Sequence, residues 1–140
     1  MPKRKTRSLA QEAERVAVAL QKLVRLKAAD ENGYATCITC GKVEHYKYMD
    51  GAHFIQRGKT ATKLIEENIA CSCKGCNLRM SKGDTTVFLA YRDYMVEMYG
   101  EEFIEELRDK SREGKKWDRY ELEEMRREIM EQIKSLESAL

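Results

Sequence analysis

Two CxxC turns, Cys37-Ile-Thr-Cys40 and Cys73-Lys-Gly-Cys76, constrain the fold of this chain more than any other feature, because they tie two distant turns to one point. Thiolates two residues apart can take adjacent corners of a tetrahedron at zinc–sulfur distances of about 2.3 Å, so two such turns complete four-coordination. A site of that kind is closed and structural, since four protein sulfurs leave no position for water. It closes a loop of 32 intervening residues in a chain of 140, and the binding energy becomes folding energy. The cysteine count, five and closely spaced, favours metal over disulfides. Cys71 is the odd one out and reads as a small buried hydrophobe. Competition with Cys73 for the metal is the less favoured alternative, because CxxC is the better-attested spacing.

With 42% hydrophobic and 36% charged residues, the chain can bury one modest core. The expected organisation is a basic flexible arm over residues 1–7 and a single domain over residues 8–140. Within it lie an N-terminal helix (8–32), a zinc-bearing core (34–83) and a helical extension (84–140). No apolar run approaches the roughly 20 residues that cross a bilayer, and the basic start has no apolar stretch behind it. The expectation is a soluble, unexported protein without a membrane partner. The net charge of +2 hides an asymmetry: residues 1–83 carry 16 Lys and Arg against 8 acids, residues 84–140 carry 10 against 16. A basic half beside an acidic one suits a polyanionic partner; the alternative is two ordinarily solvated surfaces.

Ser8 with Gln11 forms a capping box, and Val16, Leu20, Leu23, Val24 and Ala28 recur at helical spacing up to Asn32-Gly33. Alternation over residues 43–49 predicts a strand in which His45 is packed rather than a ligand. Asp50-Gly51 has hairpin-turn chemistry, and residues 52–55 are expected to return as a second strand bearing His53. Residues 56–63 read as a loop whose Arg57, Lys59 and Lys63 can hold phosphates, or as a plain solvated loop. A short helical turn follows from Asn77 to near Gly83.

In the acidic half, Asp84 caps a helix with Val87, Phe88, Tyr91, Met95 and Met98 inward, ending at Gly100. A second helix spans residues 101–111. Asp118 with Glu121 and the Trp117/Leu122 pair open a last one over residues 119–136. Its Leu122, Met125, Ile129, Ile133 and Leu136 form a narrow seam that packs on the first helix or, as a short zipper, on a second subunit.

His53, Asn68 and Asn77 converge on the second CxxC turn. Phosphodiester hydrolysis needs a base for water and a divalent ion to offset charge on the phosphate and the leaving 3′ oxygen. His53, with an ordinary pKa of about 6.5, is the best base, and a backbone carbonyl on its second nitrogen would orient it. Asn77 offers an oxygen to Mg²⁺ or Mn²⁺. Asp50 is the nearest carboxylate for the same ion, with capping of the turn as its alternative role. Asn68 is cast as the brace of the loop.

Asp50-Gly-Ala-His53-Phe, Glu67-Asn68-Ile, Cys73-Lys-Gly-Cys76-Asn77 and Lys82-Gly83 together resemble the HNH nucleases, in particular the NinG/Rap recombination endonucleases of lambdoid phages. The likeness continues through Tyr91-Arg92 and Lys116-Trp117, over roughly residues 15–138. It departs at Ala52, where many HNH enzymes carry an acid or His before the base. The resemblance implies an α+β fold with a small zinc-stabilised ββα-metal core flanked by an N-terminal helix and C-terminal helices. It also implies a phage-encoded endonuclease, acting in the bacterial cytoplasm on Holliday junctions or D-loops. Under this reading Arg57, Lys59, Lys63, Arg79 and Lys82 contact DNA. The alternatives are a zinc-stabilised, non-catalytic DNA-binding module and an interaction protein that works through its acidic helices.

Overall fold

The computed structural model describes residues 6–140; of the basic arm expected over residues 1–7, the first five lie outside the described residues. The first helix, α1 (Leu9–Ala28), opens as its sequence requires: Gln11 N–H donates to Ser8 Oγ at 3.1 Å and Ser8 N–H to Gln11 Oε1 at 2.9 Å. It ends four residues before Asn32, because the Asp30 carboxylate accepts the N–H groups of Asn32 and Tyr34 and offers the backbone a tight turn instead.

Strands β1 (Tyr34–Thr36) and β2 (Val43–His45) pair antiparallel around the first CxxC turn. The strand expected over residues 43–49 breaks after His45 into a 3₁₀ turn, where His45 Nδ1 accepts the Lys47 N–H. Strand β3 (Met49–His53) follows and pairs antiparallel with β4 (Ile69–Cys73), in register from Met49 opposite Cys73 to His53 opposite Ile69.

Asp50-Gly51 is therefore no hairpin turn, and the return strand expected over residues 52–55 is largely the end of β3 itself. The physical reason lies in α1. A Cβ on Gly51 would stand 2.8 Å from Gln21 Cβ and 2.9 Å from its Cα, so this glycine admits a helix against the strand. The connection from β3 to β4, residues 54–68, carries the one-turn helix α2 (Thr60–Lys63). Helix α3 (Lys74–Ser81) begins inside the second CxxC turn, three residues before the expected start at Asn77.

Asp84 caps α4 (Thr85–Tyr99), α5 (Glu101–Ser111) follows Gly100, and Asp118 caps α6 (Arg119–Ser138) by accepting the Glu121 N–H at 2.7 Å. The fold of the described residues is thus α+β, with six helices and two two-stranded sheets. Side chains along β3 and β4 alternate between two cores, as the strand period demands. Met49, Ile69, Cys71 and Cys73 join α1 and α6, while Ala52 and Ala70 join Tyr91, Met95, Ile104 and Leu107 of α4 and α5.

Leu122, Ile129 and Ile133 of α6 are buried in the core shared with α1, so the seam that suggested a second subunit is covered within one chain. Met98, expected inward on α4, is exposed. Among the described residues no helix is long and apolar enough to cross a membrane.

Candidate metal centre and cleft

The Sγ atoms of Cys37, Cys40, Cys73 and Cys76 all lie within 4.8 Å of one another. Those of Cys40 and Cys73 are 3.8 Å apart, about the separation of two tetrahedral corners at zinc–sulfur distances of about 2.3 Å. The donor set and its spacing fit zinc. Each turn is built to aim its sulfurs. Cys73 caps α3 and accepts the Cys76 N–H on Sγ at 3.4 Å. In the first turn Gly41 N–H donates to Cys37 O at 3.0 Å, and a φ of 78° at Gly41, a conformation that favours glycine, swings the chain back into β2. Ile38 N–H donating to Cys71 O joins the first turn to β4.

Four thiolates around a zinc ion would make a doubly negative centre, and a cation is placed to offset it: Arg79 Nη2 donates to Cys76 Sγ at 3.3 Å. Arg79, expected on DNA, is exposed and makes this hydrogen bond to the sulfur. Cys71 stays outside the cluster, opposite Gly51, and burial pushes its thiol up to about 11. At neutral pH it is a protonated core residue.

Beside the cysteines lies a cleft of about 640 Å³ whose walls include Asp50, His53, Arg57 and Asn77, with Gln21 from α1 and Met80 from α3. His53 ends β3 at 8% exposure, and its Nε2 is 2.9 Å from the carbonyl of Lys63 at the end of α2. A carbonyl only accepts, so Nε2 carries the hydrogen and the lone pair is on Nδ1, a buried atom with no protein partner. Burial lowers the pKa of the ring, against the opposing pull of the Lys63 carbonyl. The imidazole is neutral at pH 7.

Asn68 is fully buried and uses its whole amide. Oδ1 accepts the Ile55 N–H at 2.8 Å, and Nδ2 donates to Ile55 O at 3.0 Å and Thr62 O at 3.1 Å. It ties the end of the connection to both its start and α2. Asp50 Oδ1 accepts from Lys74 Nζ at 2.7 Å and Oδ2 from Asn77 Nδ2 at 3.0 Å. Its partial burial works to raise the carboxyl pKa, but the hydrogen bonds from Lys74 and Asn77 outweigh it, and the group stays ionised. With Nδ2 directed to Asp50, Asn77 keeps its Oδ1 for another partner.

Of the expected phosphate contacts, Arg57 and Lys63 are both paired with Glu14 of α1, Lys63 at 2.9 Å. Lys59, at the N-cap of α2, and Lys82, at the end of α3, are exposed. His45 is half-buried among Tyr34, Tyr46 and Tyr48 and is absent from the cleft wall.

Sequence reasoning missed Glu14, Gln21 and Lys74. The helix carrying the first two was read by its apolar stripe, and nothing local distinguishes its polar face. Lys74 did carry a signal. A cation in the first turn of a helix opposes the macrodipole, which calls for an anion nearby, and Asp50 is that anion.

A family model described as Bacteriophage Lambda NinG protein matches residues 2–139. No curated protein and no solved structure matches the chain. Because the family match runs over nearly the whole sequence, the chain belongs to the bacteriophage lambda NinG protein family.

Proposed function

We propose that this NinG-family chain is a metal-dependent DNA endonuclease of the HNH type. The reading is carried by His53, whose Nε2 is held by the Lys63 carbonyl while Nδ1 is unpartnered, in the same cleft as Asp50 and Asn77. The order of elements supports it: a strand ending in His, a connection braced by Asn68, a second strand, and a helix bearing Asn77, as in a ββα-metal finger. Branched recombination intermediates, four-way junctions or D-loops, are the proposed substrates, on the strength of the resemblance at residues 50–83.

In this reading Nδ1 of His53 takes a proton from the water that attacks phosphorus, and the Lys63 carbonyl steadies the imidazolium that results. Asn77 Oδ1 and Asp50 are the hard oxygen donors for Mg²⁺ or Mn²⁺. The ion, when bound, would offset charge on the phosphate and the leaving 3′ oxygen. Lys59 and Lys82 are free to meet neighbouring phosphates, which would position DNA without reading its sequence. The test is cleavage of a synthetic four-way junction, a D-loop and a linear duplex by the zinc-loaded protein in Mg²⁺ or Mn²⁺. His53→Ala should lose at least about 100-fold in rate. Cleavage undiminished in that variant, or none by the parent protein, would overturn the proposal.

A second reading, a zinc-stabilised DNA-binding module without catalysis, draws on Asp50. Both its oxygens are engaged, one by the Lys74 ammonium, and among the described residues the four cysteines form the one cluster of three or more Cys, His, Asp or Glu ligand atoms. It predicts steeply salt-dependent DNA binding with no strand scission in either ion.

A further inference from the structure

Glu14 stands on α1, far in sequence from the cleft, yet its carboxylate divides its two oxygens between two cations of the β3–β4 connection. Arg57 Nη2 meets Oε1, and Lys63 Nζ meets Oε2 at 2.9 Å. An Arg and a Lys converging on one anion is how proteins hold a phosphate group. The location fits that use. Arg57 lines the cleft with His53, and the carbonyl of the same Lys63 orients the His53 ring. The anion between these cations therefore sits beside the group that would act on a phosphodiester.

The carboxylate is well suited to leave. Its side chain is 47% exposed, and ion pairs reached by solvent exchange readily. Its pKa is lowered, chiefly by the hydrogen bond from Lys63 and against a burial effect, with Arg57 adding to the lowering, so it carries a full charge at neutral pH. Nothing in the packing of α1 asks for an acid here. The apolar stripe of Val16, Leu20 and Leu23 is what docks the helix.

We infer that Arg57 and Lys63 form a phosphate-binding site whose resident anion in the free protein is Glu14, an intramolecular competitor that DNA must displace. This rests on the endonuclease reading and adds its regulation: one charge on α1 holds down affinity for DNA backbone at the cleft.

The experiment measures binding of a fluorescently labelled linear duplex by anisotropy, using zinc-loaded full-length protein at low salt without added Mg²⁺ or Mn²⁺. Glu14→Gln should bind about three- to tenfold more tightly than the parent. In a Lys63→Met background the same change should give a clearly smaller gain, because only Arg57 remains to be freed; a full gain there would show that the loss of charge acts elsewhere and overturn the site. Glu14→Ser serves as a second variant if the glutamine disturbs α1, with thermal melting reporting the fold of each. A role in stability alone would leave affinity unchanged or weaken it. Equal or weaker binding by both Glu14 variants, with the parent binding normally, overturns this inference alone. Failure of the parent and every variant to bind DNA overturns the nucleic-acid reading along with it.

Discussion

His53 is buried, and burial sets the direction of its pH dependence. The charged ring is disfavoured in the fold, so the pKa lies below the ordinary value of about 6.5. The ring is already neutral at pH 7, and under the proposed endonuclease function cleavage should fall only on acidification, with a midpoint below about 6.5 in a log rate against pH profile. A midpoint above that value would contradict a buried base. The same shift acts on stability. Between the ordinary pKa and the lower native one, the unfolded chain binds a proton that the native chain does not, so the native state loses stability as pH falls through that window. Asn68 makes a separate prediction, because its side chain is fully buried and makes three hydrogen bonds, one of them buried and two partly so. Asn68→Ala should lower unfolding free energy by about 2–4 kcal/mol in a urea titration, since it strands one N–H and two carbonyls. His53, Asn68 and Asn77 were legible in the sequence because their chemistry is rare there; the chain has only two histidines. Glu14 was not, because an acid on a helix in a chain with 24 acids carries no local mark of the two cations it meets across the fold.

Helices and strands were legible to different degrees, and the difference follows from where their determinants lie. The caps at Ser8, Asp84 and Asp118 act within three residues, so the starts of α1, α4 and α6 could be read directly. Pairing of β3 with β4 could not. The two strands are separated by residues 54–68, and β4 is buried at every position, so it shows none of the alternation that marks a half-exposed strand. Asp50-Gly51 misled for a related reason: the pair has turn chemistry, but the glycine is needed for α1, whose approach is a tertiary fact. Gly51→Ala should therefore cost about 1–3 kcal/mol of stability by chemical denaturation, because the new methyl meets the Gln21 backbone as well as its side chain. A neutral result would mean that α1 and β3 can separate without penalty.

At the scale of the molecule, the two CxxC turns hold β1, β4 and α3 together, and α1 with α6 closes over them. Zinc binding and folding should be a single process. A strong chelator should release one zinc ion per chain, read with a chromophoric indicator, in step with loss of helical circular dichroism; zinc leaving a chain that keeps its full signal would separate the two. Cys73→Ser should behave like the chelated protein. The clustering of the four cysteines was readable from their spacing and the α+β class was implied by the resemblance, while the cleft beside them was not readable, since it depends on α1 lying against β3. Lys74 lies between two of the cysteines and Asn77 directly after them, so the partner of Asp50 and one wall of the cleft are part of the same turn that supplies half of the cysteine cluster. Peroxide that oxidised Cys40, the exposed member of the four, would cost zinc a ligand on the first turn, loosen the second turn with it and disturb the cleft wall from a distance, and a reductant with fresh zinc should restore it.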